Sequence, residues 1–212
     1  MREDCYVMLQ VKLIKNYPID SNCYVIYDKA FGVDCIIVDP GSEDNSLLYE
    51  FLKSETLNPQ YIILTHEHFD HCWGVNQIRR DFPTVKLVCT SSCSSAIQNR
   101  KKNYSVFYQQ PGFDVEAADM ELDSLGWSLD WHGYKLAFYP AQGHTVSGVM
   151  FTVANYIFTG DELIKGIKTV TKLKTGSKEK LAESMELLES MKGRNLTVCA
   201  GHGEMFPLDS IN

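Results

Sequence analysis

The stretch YIILTHEHFDHCWG, residues 61–74, decides how this chain is read. Its first half is an apolar, β-branched run of the kind that forms a buried strand. Its second half places three of the six histidines within the six residues from His66 to His71. Functional side chains concentrate where a loop leaves a rigid strand. In an extended segment, side chains at i and i+2 point the same way, so His66 and His68 can offer two imidazoles to one cation. Asp70 and His71 follow as the chain turns into a helix, within reach of a second ion, so one short loop can serve two metals.

Working outward, three more candidates stand at the ends of strand-like runs: His144 in AQGHT, Asp161 in IFTGDEL and His202 in CAGHGE. Each has a glycine beside it, as a tight turn or a close backbone approach requires. The pattern predicts strand-end loops converging on a shared cleft. Asp39 in VDPG is either a turn residue or a partner that orients a ligand histidine. His132 in WHGYKL has no partner motif and reads as a hydrogen-bonded structural side chain.

The rest of the chain predicts strands at 6–14, 23–28, 35–41 and 61–66. A helix follows from SEDNSLLYEFLKSETL, with Ser42 as its cap. Then come a helix over 74–82, a strand at 85–90 and a short helix over SSCSSAIQN. Residues 100–131, with Pro111-Gly112 and spaced acids, predict a variable loop or lid. Strands at 134–139, 148–153 and 156–159, a helix over KEKLAESMELLESMK, a strand at 196–200 and a terminal loop from Gly201 complete it. Strands and helices mixed in each half imply two face-to-face sheets with helices outside. This is an α/β class, four-layer α/β/β/α sandwich, expected as one domain over 1–212.

At 212 residues and 44% hydrophobic, the chain can bury a sizeable core without disulfides. Its seven cysteines are odd in number and contain no C-x-x-C pair, which suits small core residues in a reducing compartment. No stretch approaches the roughly 20 apolar residues of a membrane span. The opening MREDCYVMLQ carries Arg2, Glu3 and Asp4 ahead of a short apolar run, so a cytoplasmic protein without a membrane partner is expected. A net charge of −7 supplies no general field for nucleic acid, and a small-molecule partner is expected instead. The exception is the stretch from Lys165 to Lys180, with six lysines against the single acid Glu179.

The motifs H-x-H-x-D-H at 66–71, G-H-T at 143–145, T-G-D at 159–161 and G-H-G at 201–203, in that order, resemble the metallo-β-lactamase superfamily. The resemblance runs from about Asp39 to His202 and carries a fold of the four-layer type. It implies that His66, His68 and His144 bind a first metal, that Asp70, His71 and His202 bind a second, and that Asp161 bridges both. Imidazole and carboxylate ligands make zinc the default cofactor, two divalent ions in all, with iron and manganese also accepted. Two such cations share a water, lower its pKa and hold the bridging hydroxide against an electrophilic carbonyl. Asp70 would orient that hydroxide or carry a proton.

Within the superfamily, metallo-β-lactamases proper carry a cysteine where this chain has Asp161, and diiron flavoprotein oxidases carry Glu where it has His68. The nearest resemblance is to short glyoxalase II (hydroxyacylglutathione hydrolase)-like hydrolases, which implies a small thioester or ester substrate. The family's Gly-Arg segment after the bridging aspartate is replaced by LIKGIKTVTKLKTGSK, and Val146 replaces a proline in GHTVSG. Lys165 and Lys168 are expected to dock a substrate carboxylate or phosphate. Tyr104, Phe107 and Tyr108 read as packing residues. Two other readings stand beside hydrolysis: a mononuclear-iron persulfide dioxygenase-like oxygenase, and a non-catalytic metal-dependent binding protein. The complete set of second-metal ligands favours hydrolysis.

Overall fold

A computed structural model describes residues 9–124 and 126–211. The first half builds a sheet from β1 (Gln10–Lys15), β2 (Asn22–Tyr27), β3 (Asp34–Val38), β4 (Asn58–Ile63), β5 (Lys86–Cys89) and β6 (Met120–Glu121), in that spatial order. The first three strands are antiparallel and β3 to β6 are parallel. The parallel connections are helical: α1 (Ser46–Glu55), α2 (Phe69–Cys72) with α3 (Val75–Asp81), and α4 (Ser91–Ile97), followed by the short α5 (Ser105–Tyr108). The second sheet runs β12-β11-β10-β9-β8-β7, from β7 (Ser128–Trp131), β8 (Tyr134–Pro140), β9 (Val149–Val153), β10 (Tyr156–Gly160), β11 (Thr197–Ala200) and β12 (Phe206–Pro207). Its one parallel pair, β10 with β11, is joined through α6 (Lys178–Ser190).

Strand alternation divides the apolar residues into three layers. Cys23, Val25, Ile37, Ile62 and Leu87 face the helices, packing on Leu48, Leu52, Val75 and Ile78. Their neighbours Tyr24, Ile26, Ile36, Val38 and Ile63 face the other sheet, against Phe138, Phe151 and Phe158. Met150, Ile157 and Val198 turn outward onto Leu188 and Met191. Three apolar interfaces between four layers are the expected α/β/β/α sandwich.

Several local expectations move. The residues at 6–8 of the first expected strand lie outside the described residues. The helix expected from Ser42 begins at Ser46, where the Asp44 carboxylate accepts from the Ser46 N–H at 2.9 Å. The Ser42 hydroxyl is used elsewhere, accepting from Tyr17 N–H and donating to Asn16 Oδ1. Strand β4 ends at Ile63 because Thr65 leaves the sheet, its carbonyl accepting from Val149 N–H of the second sheet. Residues 100–131 are not a plain loop, since they contain α5, β6 and β7. These elements are too short for a period to show. The six described cysteines are free and buried. No described helix is long and apolar enough to cross a membrane.

Candidate metal centre

The C-terminal ends of β3, β4, β10 and β11 deliver Asp39, the 66–71 loop, Asp161 and His202 to one rim, where open α/β sheets bind ligands. The loop between β8 and β9 adds His144. All seven residues expected at the site converge. The His66 ring lies 4.6 Å from that of His68, 4.2 Å from His71 and 5.2 Å from His144. His144 Nε2 stands 3.1 Å from His68 Nδ1. Asp161 lies between two trios, with Oδ1 3.5 Å from His71 Nε2 and Oδ2 3.6 Å from both His144 Nε2 and His202 Nε2. Asp70 Oδ2 completes the second trio, 3.4 Å from His202 Nε2 and 3.7 Å from His71 Nε2.

These spacings suit donors that share an ion. Tetrahedral ligands at bond lengths of about 2.0–2.1 Å stand about 3.3–3.4 Å apart. The donor atoms of His66, His68 and His144, and those of Asp70, His71 and His202, all lie within 4.8 Å of one another in each group. His66 Nε2, His68 Nε2, His71 Nε2 and Asp161 Oδ1 are buried without a hydrogen-bond partner. Buried polar atoms seldom go unpaired, and the mixed imidazole and carboxylate set fits divalent cations.

The outer face of four of the five rings is held by an acceptor, while His68 turns its Nδ1 toward His144. His66 Nδ1 meets the Thr65 hydroxyl at 3.1 Å, and His71 Nδ1 meets Asp39 Oδ2 at 3.1 Å. His144 Nδ1 meets the Val170 carbonyl at 2.9 Å, and His202 Nδ1 meets the Asp20 carbonyl at 2.8 Å. A proton held on Nδ1 leaves the Nε2 lone pair for a cation. Asp39 is the hub. Its carboxylate also accepts from Thr65 N–H at 2.8 Å and from the Thr65 hydroxyl at 2.6 Å. Asp39 groups with His66 and His71 too, but its oxygens are already committed to these donors, so it holds Thr65 and the His71 ring in place. Its backbone sits in the left-handed region at φ +49°.

The two trios differ in charge. Burial, reinforced by neighbouring imidazoles, pushes His66 well below the usual histidine range and His68 down to about 4. Burial also opposes charge on His71, but Asp70, Asp161 and Asp39 outweigh it and lift the ring to about 9. Burial likewise opposes charge on His202, and its hydrogen bonds to the Asp161 and Asp70 carboxylates raise it to about 10. Against burial, His71 and His202 hold Asp70 and Asp161 below the normal carboxylate range. His66 and His68 are thus held as neutral imidazoles, whereas the other side is a paired cluster of acids and histidines.

Two acids that the motif reading passed over fasten the His144 loop. Buried Glu67 points away from its neighbours His66 and His68 and accepts from the hydroxyls of Thr145, at 2.7 Å, and Ser147. Buried Glu162 accepts from Gly143 N–H at 2.9 Å and His144 N–H at 2.9 Å. A buried carboxylate must find such donors. The signal in the sequence was an acid directly beside a ligand. Gly201 has a similar positioning use, since a Cβ there would overlap Asp161 Oδ1. Glu162→Ala is expected to weaken metal binding roughly 10–100-fold with the fold retained, as competition with a chromogenic chelator would measure. Unchanged affinity would show that Glu162 does not position His144.

Lys165 lies 3.5 Å from Glu204 and over the Phe206 ring, and Lys168 is exposed. Neither forms a described ion pair or hydrogen bond with the seven converging residues. Their segment instead supports the site through its backbone, by way of Val170 and a Ser177 N–H to Gly143 carbonyl bond of 2.9 Å. His132 pairs with Asp34 at 2.8 Å and stacks on Phe31, at the opposite end of β3. Tyr104, expected to be packing, instead borders the site with its ring edge-on to His68 at 5.0 Å. Tyr108 stacks on Phe69 at 4.9 Å.

A four-layer sandwich with this histidine and aspartate cluster on its rim defines a protein class, and the comparisons agree. Residues 16–202 match the family model of the Metallo-beta-lactamase superfamily, and the chain belongs to that superfamily. It is 29% identical over 167 residues to an uncharacterized protein of Mycobacterium leprae, covering 72% of this chain and 74% of that one. It is 33% identical over 129 residues to the hydroxyacylglutathione hydrolase of Serratia proteamaculans, covering 61% of this chain but only 42% of that enzyme. Among solved structures, the BLEG-1 B3 metallo-beta-lactamase superposes with a TM-score of 0.81 at 26% identity, covering 94% of both chains.

Proposed function

We propose that this protein is a dinuclear-metal-dependent hydrolase of a small thioester or ester. The observation that carries the reading is the placement of Asp161, whose two oxygens face His71 on one side and His144 with His202 on the other. His66, His68 and His144 would hold one cation, Asp70, His71 and His202 the other, and Asp161 both. Zinc is the default, and iron or manganese would suit the same donors. Two bound cations would supply a hydroxide nucleophile at neutral pH and a Lewis acid toward the scissile carbonyl.

The chain supplies the positioning. Thr65, Asp39, Val170 and Asp20 keep four Nε2 atoms aimed inward. Asp70, beside His71 and His202, can take a proton from the attacking water and return it to the leaving group. The described cysteines offer no competing nucleophile, since all are buried, and burial pushes the Cys72 thiol well up. The likeness to part of a hydroxyacylglutathione hydrolase supports a thioester, and the likeness to a B3 metallo-beta-lactamase adds a β-lactam to the substrates worth testing. Six unpaired buried cysteines support assignment to the reducing cytoplasm.

The test is metal content per chain by elemental mass spectrometry, paired with turnover of thioesters, esters and a chromogenic β-lactam. About two metals with thioester or ester turnover is the expected result. A single iron with oxygen uptake would replace this reading with the oxygenase. No retained metal, or two metals without hydrolysis of any substrate, would overturn it. Metal removal gives an independent check. At free metal of about 1,000 times Kd, binding stabilises the folded chain by about 4 kcal/mol, so a chelator should lower Tm by several degrees. An identical Tm with and without chelator would contradict a metal site.

A further inference from the structure

A cavity of about 460 Å³ is lined by Tyr104, whose ring lies 5.0 Å from that of His68, and nothing in the reaction above uses it. Its wall includes Lys101, Lys102, Lys174, Tyr104, Glu67 and Ser147. The lysines come from two separate stretches, one before α5 and one after Asp161, and converge only in the fold. The adjacent Arg100 pairs with Asp114, but no described ion pair engages these three. The single wall carboxylate, Glu67, is buried and turned onto Thr145 and Ser147. On a chain of net charge −7, this is a locally cationic concavity, where field lines focus on an anion.

The loop carrying Lys101 and Lys102 is built rather than loose. Asn103 is fully buried, its amide donating to the Phe113 carbonyl at 2.9 Å and its side-chain oxygen accepting from Ser105 N–H at 2.9 Å. Its backbone carbonyl accepts from Phe69 N–H at 2.8 Å, tying the loop to the residue after His68. The next residue, Tyr104, is held at φ +65°, which is costly for an aromatic residue and persists only where the surroundings impose it. In that conformation the ring stands nearly perpendicular to that of His68 and also lines the cavity.

We propose that this cavity recognises an anionic group, a carboxylate or a phosphate, on the substrate of the neighbouring metal centre. Lys101, Lys102 and Lys174 are its counter-charges, and Tyr104 is the wall over which the substrate passes. The inference rests on the hydrolase reading and transfers the anion-docking role expected of Lys165 and Lys168 to Lys174 of the same segment and to a loop the sequence left unassigned.

Two substrate pairs test it on the zinc-loaded protein. One is the succinyl thioester of N-acetylcysteamine with its methyl ester. The other is the acetyl thioester of 2-mercaptoethyl phosphate with that of 2-mercaptoethanol. In at least one pair the anionic member should have a KM about tenfold below its neutral twin, and the Lys101→Ala, Lys102→Ala, Lys174→Ala triple variant should abolish that ratio. The pair that responds tells carboxylate from phosphate. No preference for the anion in either pair, or a preference that survives in the triple variant, would overturn the proposal and leave hydrolysis standing. Were none of the four hydrolysed, the same compounds would serve as stable ligands in calorimetry. Tighter binding of an anionic member, lost in the triple variant, would then uphold the cavity while the hydrolase reading falls. Equal binding within both pairs would remove the cavity as well.

Discussion

Asp161→Asn is expected to lower turnover by a factor on the order of 10³ and the metal content from about two per chain to one or fewer. The substitution keeps the side chain's size beside Gly201, where nothing larger than hydrogen fits, so the effect isolates charge and coordination. Asp161 is the one carboxylate that reaches toward both trios, and an amide would offer a weaker neutral oxygen on one side and a donor on the other. His71 and His202 would also lose an acid that supports them. Circular dichroism should stay that of the parent, because Asp161 follows the end of β10 and belongs to no strand. Undiminished turnover with two retained metals would remove the proposed mechanism.

Asp39→Ala should produce the largest loss of stability, about 3–5 kcal/mol in the metal-free protein. Its carboxylate is nearly inaccessible and accepts from Thr65 N–H, the Thr65 hydroxyl and His71 Nδ1, and alanine would strand all three donors. Alanine is also the poorer residue at φ +49°. In the loaded protein the same change should weaken metal binding by roughly 10–100-fold, because His71 and, through Thr65, His66 lose their orientation. Urea unfolding in the presence of a chelator reads the first effect, and chelator competition reads the second. Asp39→Asn should fall between, since it keeps an acceptor for Thr65 but sets an amide donor among other donors. A loss in Asp39→Ala under about 1 kcal/mol would show that water replaces the carboxylate and that Asp39 is no hub.

Much of the candidate site could be read before any coordinates, because its residues lie in motifs where type and spacing carry the chemistry. His66, His68, Asp70 and His71 follow one another at steps of one or two residues, so their convergence needs little more than local geometry. The glycines before His144, Asp161 and His202 likewise marked turns. Glu67 and Glu162 were not legible, since an acid beside a ligand looks like any solvated charge until burial shows what it fastens. The same holds for β6 and β7, whose partners β5 and β8 define them better than their own two to four residues do.

By itself, then, the chain's order of residues pointed to the layered class and to the seven converging residues, and its resemblance to the superfamily implied their division into two trios. Only the tertiary structure decided that Asp39 holds Thr65 and His71, that the Val170 and Asp20 carbonyls accept from Nδ1 of His144 and His202, and that Lys101 and Lys102 share a cavity with Lys174. The reason is physical. Coordination motifs are local and periodic, whereas a hydrogen bond such as His202 to Asp20, 182 residues apart, or a pocket between two loops, depends on packing that no short window contains.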